Sequence, residues 1–356
     1  MAAPSRALRF LFVGGGTGGH LAPALGLAER LLERGHEVFF LTSGRAVERD
    51  YLPASAGHRS LDVDRSRLPR RLALLPALLR ARRQAKAFRP DLVVGLGGLT
   101  GAAALGARRG CPLVLLEGNA VAGRGVRLLL PWAACVLTQF RETAASLPRG
   151  LWVGPLARRA LEPRPRAEAR RSFGLEEDRP VLLVTGGSQG AEDLNRLAAR
   201  AAPALSREGW QLLAATGAGR GRGLAAACRE AGLRATLQEN LADMGAALSA
   251  AELALCRGGA ATVGELWLHR LPALVAPYPY HRDRQQEHNA RRLGGGVRLL
   301  DARAEDALAR LLEPVRDASQ REAMRRALEA TAPPDGRVRA VEILENLAAG
   351  RAGGGG

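Results

Sequence analysis

Short apolar runs alternate with longer segments in which apolar and polar positions mix at helical spacing. In the first half the runs are Leu8–Val13, Glu37–Thr42, Asp91–Gly95, Leu113–Glu117, Ala134–Gln139 and Leu151–Val153. In the second half they are Val181–Thr185, Gln211–Thr216, Ala235–Gln238, Leu253–Cys256, Ala273–Pro277 and Val297–Leu300. Most are continuous rather than alternating, which predicts strands covered on both faces by helices. The alternation of strand and helix predicts two doubly wound α/β domains. The halves open alike: RFLFVGGGTGG from Arg9 and PVLLVTGGSQG from Pro180 are each an apolar strand entering a glycine loop. Between them the charged stretch RRALEPRPRAEARR, with Pro155, Pro163, Pro165 and Pro180 in or around it, has no core pattern and places the boundary within 155–180. Pro333 and Pro334 break the chain again. A last helix is then expected with Val338, Val341, Leu344 and Leu347 on one face, and a disordered tail at 351–356.

The length of 356 residues suits two domains at about 100–200 residues each. Fifty-two basic against 35 acidic residues give a net charge of +17, and every basic residue except Lys86 is arginine. Such an excess favours an anionic partner: nucleic acid, anionic lipid or a phosphorylated substrate. A nucleic-acid binder is disfavoured because aromatics are only 4% of the chain, so stacking platforms are scarce. Cys111, Cys135, Cys228 and Cys256 lack metal-ligand spacing and read as buried thiols in a reducing compartment. No signal-peptide pattern opens the chain, and no run reaches the ~20 apolar residues that span a bilayer. The expectation is a soluble or peripheral cytoplasmic protein.

Three glycine turns carry candidate chemistry. Gly14–Gly19 precedes His20 and a helix with Pro23 in its first turn. Glycine allows close backbone approach, and a helix N-terminus suits an anion. The plain alternative is a tight turn that binds nothing. An NAD site needs an acid at the end of the second strand, where this chain has Thr42, Ser43, Gly44 and Arg45; NADP remains open through Arg45. No Walker lysine follows any glycine loop. The second turn is Gly186–Gly190. The third, Cys256–Thr262, opens a helix containing Glu265, whose two oxygens could accept from both hydroxyls of a ribose or simply favour the helix N-terminus. Next, Tyr278–Asn289 runs from a strand end into a helix through Gln285 and Gln286, whose amides suit sugar hydroxyls.

These stretches, in this order, resemble the MurG family of bacterial peptidoglycan glycosyltransferases. The matches are GGGTGGHLAPALGLA (14–28), GLGG (95–98), LEGNAVAG (116–123), VGPLAR (153–158), GGSQGAEDLN (186–195), CRGGAATVGEL (256–266) and DRQQEHNA (283–290). The resemblance implies two Rossmann-like doubly wound domains facing a cleft, the GT-B fold. Residues 1–157 with a helix at about 335–350 would form the acceptor and membrane-associated domain, and 158–334 the UDP-GlcNAc domain. It implies inverting transfer of GlcNAc from UDP-GlcNAc to the C4 hydroxyl of lipid-linked MurNAc-pentapeptide. On the donor side, Glu265 would hold the ribose and the backbone at Leu241 the uracil. Arg158, Ser188 and Gly259-Ala260-Ala261-Thr262 would cradle the diphosphate. Gln285, Gln286 and Asn119 would meet the sugar, with Thr17, Gly18 and Gly19 beside them. On the acceptor side stand Gly15, Gly16, Thr17, Gly97, Gly98 and Asn195. His20 is the preferred base because an imidazole titrates near pH 6.5; Glu117 is the rival.

The chain departs from the family pattern at Leu99, Leu116, Gly118 and Gly258, losing a tyrosine, an imidazole, an amide and a hydroxyl. No cofactor is required, since helix dipoles and arginine can do a metal's work at the diphosphate; a divalent ion could stimulate through the acceptor diphosphate. Residues 65–89, RSRLPRRLALLPALLRARRQAKAFR, combine leucines with basic side chains and no acid. That segment suits an anionic membrane surface, or a crossover helix with leucines inward. The competing functions are an NADP-dependent oxidoreductase and a GT-B enzyme with another sugar donor or acceptor.

Overall fold

The computed structural model describes residues 6–15, 18–44, 52–61, 70–187, 190–280, 283–333 and 335–350, without the side chains of 18–20, 70–73 and 99. The chain divides into two compact units. One runs to Arg159 and takes up the chain again from Pro333; the other is Ala160–Ala332.

The first unit holds strands β1 Arg9–Val13, β2 Glu37–Thr42, β3 Gly57–Ser60, β4 Leu92–Gly95, β5 Leu113–Glu117, β6 Cys135–Thr138 and β7 Gly150–Trp152. They form one sheet in the order β3-β2-β1-β4-β5-β6-β7, every pairing parallel. The apolar runs are continuous because alternate residues serve opposite layers. Phe10 and Phe12 pack with Leu21, Leu25 and Leu344, whereas Leu11 and Val13 pack with Ala77, Ala81 and Ala85. The hydrophobic pattern did not announce β3: its sequence Gly-His-Arg-Ser is largely exposed, as an edge strand paired only to β2 can be.

The second unit repeats the plan with β8 Val181–Thr185, β9 Gln211–Ala215, β10 Ala235–Gln238, β11 Leu253–Cys256, β12 Ala273–Val275 and β13 Val297–Leu299. Their order is β10-β9-β8-β11-β12-β13, again parallel throughout. All four cysteines are buried and none is in a disulfide.

The helix Gly336–Ala349 returns to the first unit. Ala340, Val341, Leu344 and Ala348 are buried in its core. Val338, expected on the same face, is 42% exposed, so the buried stripe is displaced from the predicted one. Arg34 Nε and Nη2 hold both oxygens of Glu345, at 2.6 and 3.0 Å, and His36 Nε2 lies 2.7 Å from the same carboxylate. Burial works against ionisation of Glu345, but the Arg34 and His36 hydrogen bonds outweigh it and hold its pKa below the usual carboxylate range.

The helix Arg70–Phe88 departs from the expectation of a crossover helix with its leucines inward. It turns alanines inward: Ala77, Ala81 and Ala85 are buried at i, i+4, i+8 spacing. Small residues let the helix sit close, with the Leu78 carbonyl oxygen only 2.3 Å from where a Cβ on Gly106 would stand. Leu75 and Leu79 are consequently left 65% and 62% exposed among exposed Arg80, Arg82, Arg83 and Lys86. Leu128 and Trp132, in the same layer of the sheet, are exposed as well.

Candidate active site

In each unit the glycine turns leave the carboxyl ends of central strands, where open α/β sheets bind ligands. In the first unit these are the neighbouring strands β1, β4 and β5. Gly14 and Gly15 both have φ near +141°, and a Cβ on Gly14 would stand 2.7 Å from that of Leu96. Only glycine lets the 14–15 and 96–98 turns approach so closely. Gly97 and Gly98 also have positive φ, +71° and +67°. Gly18, Gly19 and His20 form the first turn of the helix Gly18–Glu33. Gly16, Thr17 and the His20 side chain lie outside the described residues.

Glu117 ends β5 and is only 5% exposed. Its Oε1 accepts from Asn119 N at 2.8 Å and Asn119 Nδ2 at 3.0 Å, and its Oε2 accepts from Gly123 N at 2.7 Å. Burial raises its pKa, against the pull of these hydrogen bonds and of Arg127. Both oxygens are therefore engaged in holding the 118–123 loop and the Asn119 amide, the geometry of a positioning carboxylate. Leu116, where the family pattern has an imidazole, packs into the core.

In the second unit β8, β11 and β12 are neighbours. The helix Ala260–His269 starts at the end of β11 with Gly259 as its N-cap, so its first-turn amides and positive end face outward from the strand. Ala261, Thr262 and Glu265 are half-buried there. Glu265 lies close enough to Cys256 that, after burial, its charge helps push that thiol up to about 12. Ser188 lies outside the described residues. Leu241 is buried beyond β10, at the far edge of the sheet. Arg158 belongs to the first unit, one residue before the end of that unit's first segment, rather than to the second as the boundary at 157/158 placed it.

The helix Gln285–Arg291 packs directly on the β11 turn. Asn289, 1% exposed, donates from Nδ2 to Gly258 O at 3.1 Å. A Cβ on Gly258 would stand 2.2 Å from Gln286 O. The absent hydroxyl at 258 thus has a steric cause: this backbone leaves no room for any side chain. Gly258→Ser is expected to push the helix off the turn, costing about 1–3 kcal/mol. Thermal or chemical unfolding of the variant would show the loss. Gln286 Oε1 accepts from Tyr278 N at 2.8 Å, tying this helix to the loop after β12.

Asn195, expected on the acceptor side, and Arg257 both bind other parts of the chain. Asn195, 3% exposed, donates from Nδ2 to Thr216 O at 2.9 Å and Arg220 O at 3.3 Å, pinning the loop after β9. Arg257 is 9% exposed. It donates to Asp193 Oδ1 at 2.6 Å and Ala276 O at 2.9 Å, joining the ends of β11 and β12 to the helix Glu192–Arg207. Asp193 and Asn289 were missed by sequence reasoning; their only signal was a place inside the matched stretches 186–195 and 283–290. Among the described residues, no three His, Cys, Asp or Glu side chains gather as a metal site.

Models of the glycosyltransferase family 28 N-terminal and C-terminal domains match residues 10–138 and 181–337. A UDP-N-acetylglucosamine–N-acetylmuramyl-(pentapeptide) pyrophosphoryl-undecaprenol N-acetylglucosamine transferase from a Nocardioides species is 37% identical, over 96% of this chain and 99% of that protein. The chain belongs to the MurG family, within glycosyltransferase family 28. The same-named Acidithiobacillus ferrooxidans protein is 38% identical over 84% of this chain and 85% of its own length. The crystal structure of Acinetobacter baumannii MurG superposes with a TM-score of 0.76 at 27% identity, covering 95% of this chain and 99% of that one. The architecture is therefore GT-B. The family carries no support for the oxidoreductase alternative, whose Arg45 lies outside the described residues.

Proposed function

We propose that the chain transfers GlcNAc, with inversion, from UDP-GlcNAc to the C4 hydroxyl of lipid-linked MurNAc-pentapeptide. The observation that carries this is the full-length match to transferases of that name, 37% identical across 96% of the chain. The second unit is the donor unit: the 259–262 amides face the diphosphate, Glu265 the ribose, and the NH2 ends of Gln285 and Gln286 the hexose hydroxyls. As the bond to the anomeric carbon breaks, charge grows on the β-phosphate, and preorganised amides at a helix N-terminus stabilise it without reorganising. The transition state has oxocarbenium character, as in glycoside hydrolysis. The first unit is the acceptor unit, its 14–20 and 97–98 turns and Glu117 holding the lipid-linked sugar, with His20 as base.

A UDP-release assay tests the reading. Release is expected with UDP-GlcNAc and lipid-linked muramoyl-pentapeptide together, and with neither alone. Equal release from UDP-glucose, or release indifferent to the acceptor, defeats it. Glu265→Gln, which retains one acceptor oxygen, is expected to raise the KM for UDP-GlcNAc about tenfold through one lost charge-assisted bond.

The exposed Leu75 and Leu79, on a helix that also exposes Arg80, Arg82, Arg83 and Lys86, support peripheral attachment to an anionic membrane surface on the cytoplasmic side, where the lipid-linked acceptor is met. No described helix is long and apolar enough to cross a membrane. Replacing both leucines with aspartate should abolish co-sedimentation with anionic vesicles. Salt should weaken the wild-type protein's binding. Salt-independent binding to neutral and anionic vesicles alike counts against this attachment.

A further inference from the structure

Tyr278 and Tyr280 stand in the loop after β12, 42% and 66% exposed, with ring centroids 5.4 Å apart and planes at 70°. Exposed tyrosines are ordinarily free to swing; these two are braced. The Arg257 guanidinium carbon lies 5.7 Å from the Tyr278 ring centroid. That of Arg303 lies 5.2 Å from the Tyr280 centroid, and Arg303 Nη1 donates to the Tyr280 hydroxyl at 2.9 Å. One buried acid, Asp193, steadies both cations, at 2.6 Å from Arg257 and 4.0 Å from Arg303. The Tyr278 amide in turn is joined to Gln286. In a chain with 4% aromatic residues, these two within three positions stand outside the buried core.

We propose that Tyr278, steadied edge-to-face by Tyr280, gives the hexose ring of the sugar nucleotide a stacking platform, with Gln286 meeting hydroxyls at its edge. This rests on the reading of the second unit as the donor unit. A pyranose has a rim of hydroxyls and a face of weakly positive C–H groups; a tyrosine ring offers a negative face. An aromatic wall with a few amides at its edge satisfies both parts of such a ligand. Fixing the rings in advance removes the ordering cost that mobile side chains would pay on binding. The platform serves the hexose rather than the base because Tyr278 is tied to Gln286 and not to the Leu241 end of the sheet.

Calorimetric titration with UDP and with UDP-GlcNAc separates the possibilities. Tyr278→Ala is expected to weaken UDP-GlcNAc binding about tenfold while leaving UDP affinity unchanged. Tyr278→Phe, which keeps the ring, should stay within about twofold of wild type for both ligands. The unchanged UDP affinity serves as the folding control. Equal weakening of UDP and UDP-GlcNAc by Tyr278→Ala would assign the ring to the nucleotide and overturn the platform, as would no effect on either. Failure of the wild-type protein to bind UDP at all is a different result: it overturns the donor reading and the platform with it.

Discussion

Asp193→Ala is expected to destabilise the second unit by about 3–5 kcal/mol, because it leaves the Arg257 guanidinium buried without its counter-charge. The pair is closed from solvent on both sides, with side chains 11% and 8% exposed. Removing the acid does not release the arginine to water, since Arg257 stays anchored to Ala276 O. Calorimetry would show the second unit melting earlier. Activity should fall further than unfolding alone explains, because the 256–262 turn and the loop after β12 share this strut. A double-mutant cycle isolates the pair: Arg257→Met should cost less in the Asp193→Ala background than in the wild type. Equal costs in both backgrounds would show that the two side chains do not act as a unit.

Glu117→Gln is expected to lower turnover about a hundredfold, the order of loss that follows a displacement of about 1 Å in a positioned group. An amide cannot accept from Asn119 N, Asn119 Nδ2 and Gly123 N in the same geometry, because its NH2 end must face one of those donors. The 118–123 loop then shifts, and Asn119 with it. The pH profile discriminates the two roles considered for this residue. If Glu117 only positions the loop, the variant keeps the wild-type ascending limb at reduced height, because the base lies elsewhere. If Glu117 is the base, that limb disappears. The raised pKa carries its own sign: above its ordinary range, ionising Glu117 costs the folded state more than the unfolded one. Its contribution to stability is therefore most favourable below pH 4.5 and declines as pH rises through the raised folded value. The same measurements with His20→Gln complete the comparison, and near-normal turnover there removes His20 from the role of base.

Much of this was legible along the chain. Twelve apolar runs mark twelve of the thirteen strands among the described residues, since a strand covered on both faces must be apolar at successive positions whatever its neighbours are. The glycine turns were legible too, because positive φ and close approach at positions such as Gly14 select one residue type. β3 escaped because an edge strand needs only backbone pairing. The leucines of the basic helix were ambiguous for a related reason. Period alone cannot say which of two apolar stripes, Ala77-Ala81-Ala85 or Leu75-Leu79, faces inward, and close helix packing favoured the smaller. Polar residues in the matched stretches were the hardest to read. Asn195, Arg257 and Glu117 each carry chemistry that suits a ligand, yet the Asn195 Nδ2, the Arg257 guanidinium and both Glu117 oxygens are bonded to other groups of the chain. Sequence by itself determined the two parallel α/β units and the positions of their turns, because periodicity and glycine act locally. Only the tertiary structure decided which polar groups brace the turns and which stand exposed, because a donor's or acceptor's partners come from residues distant in the chain.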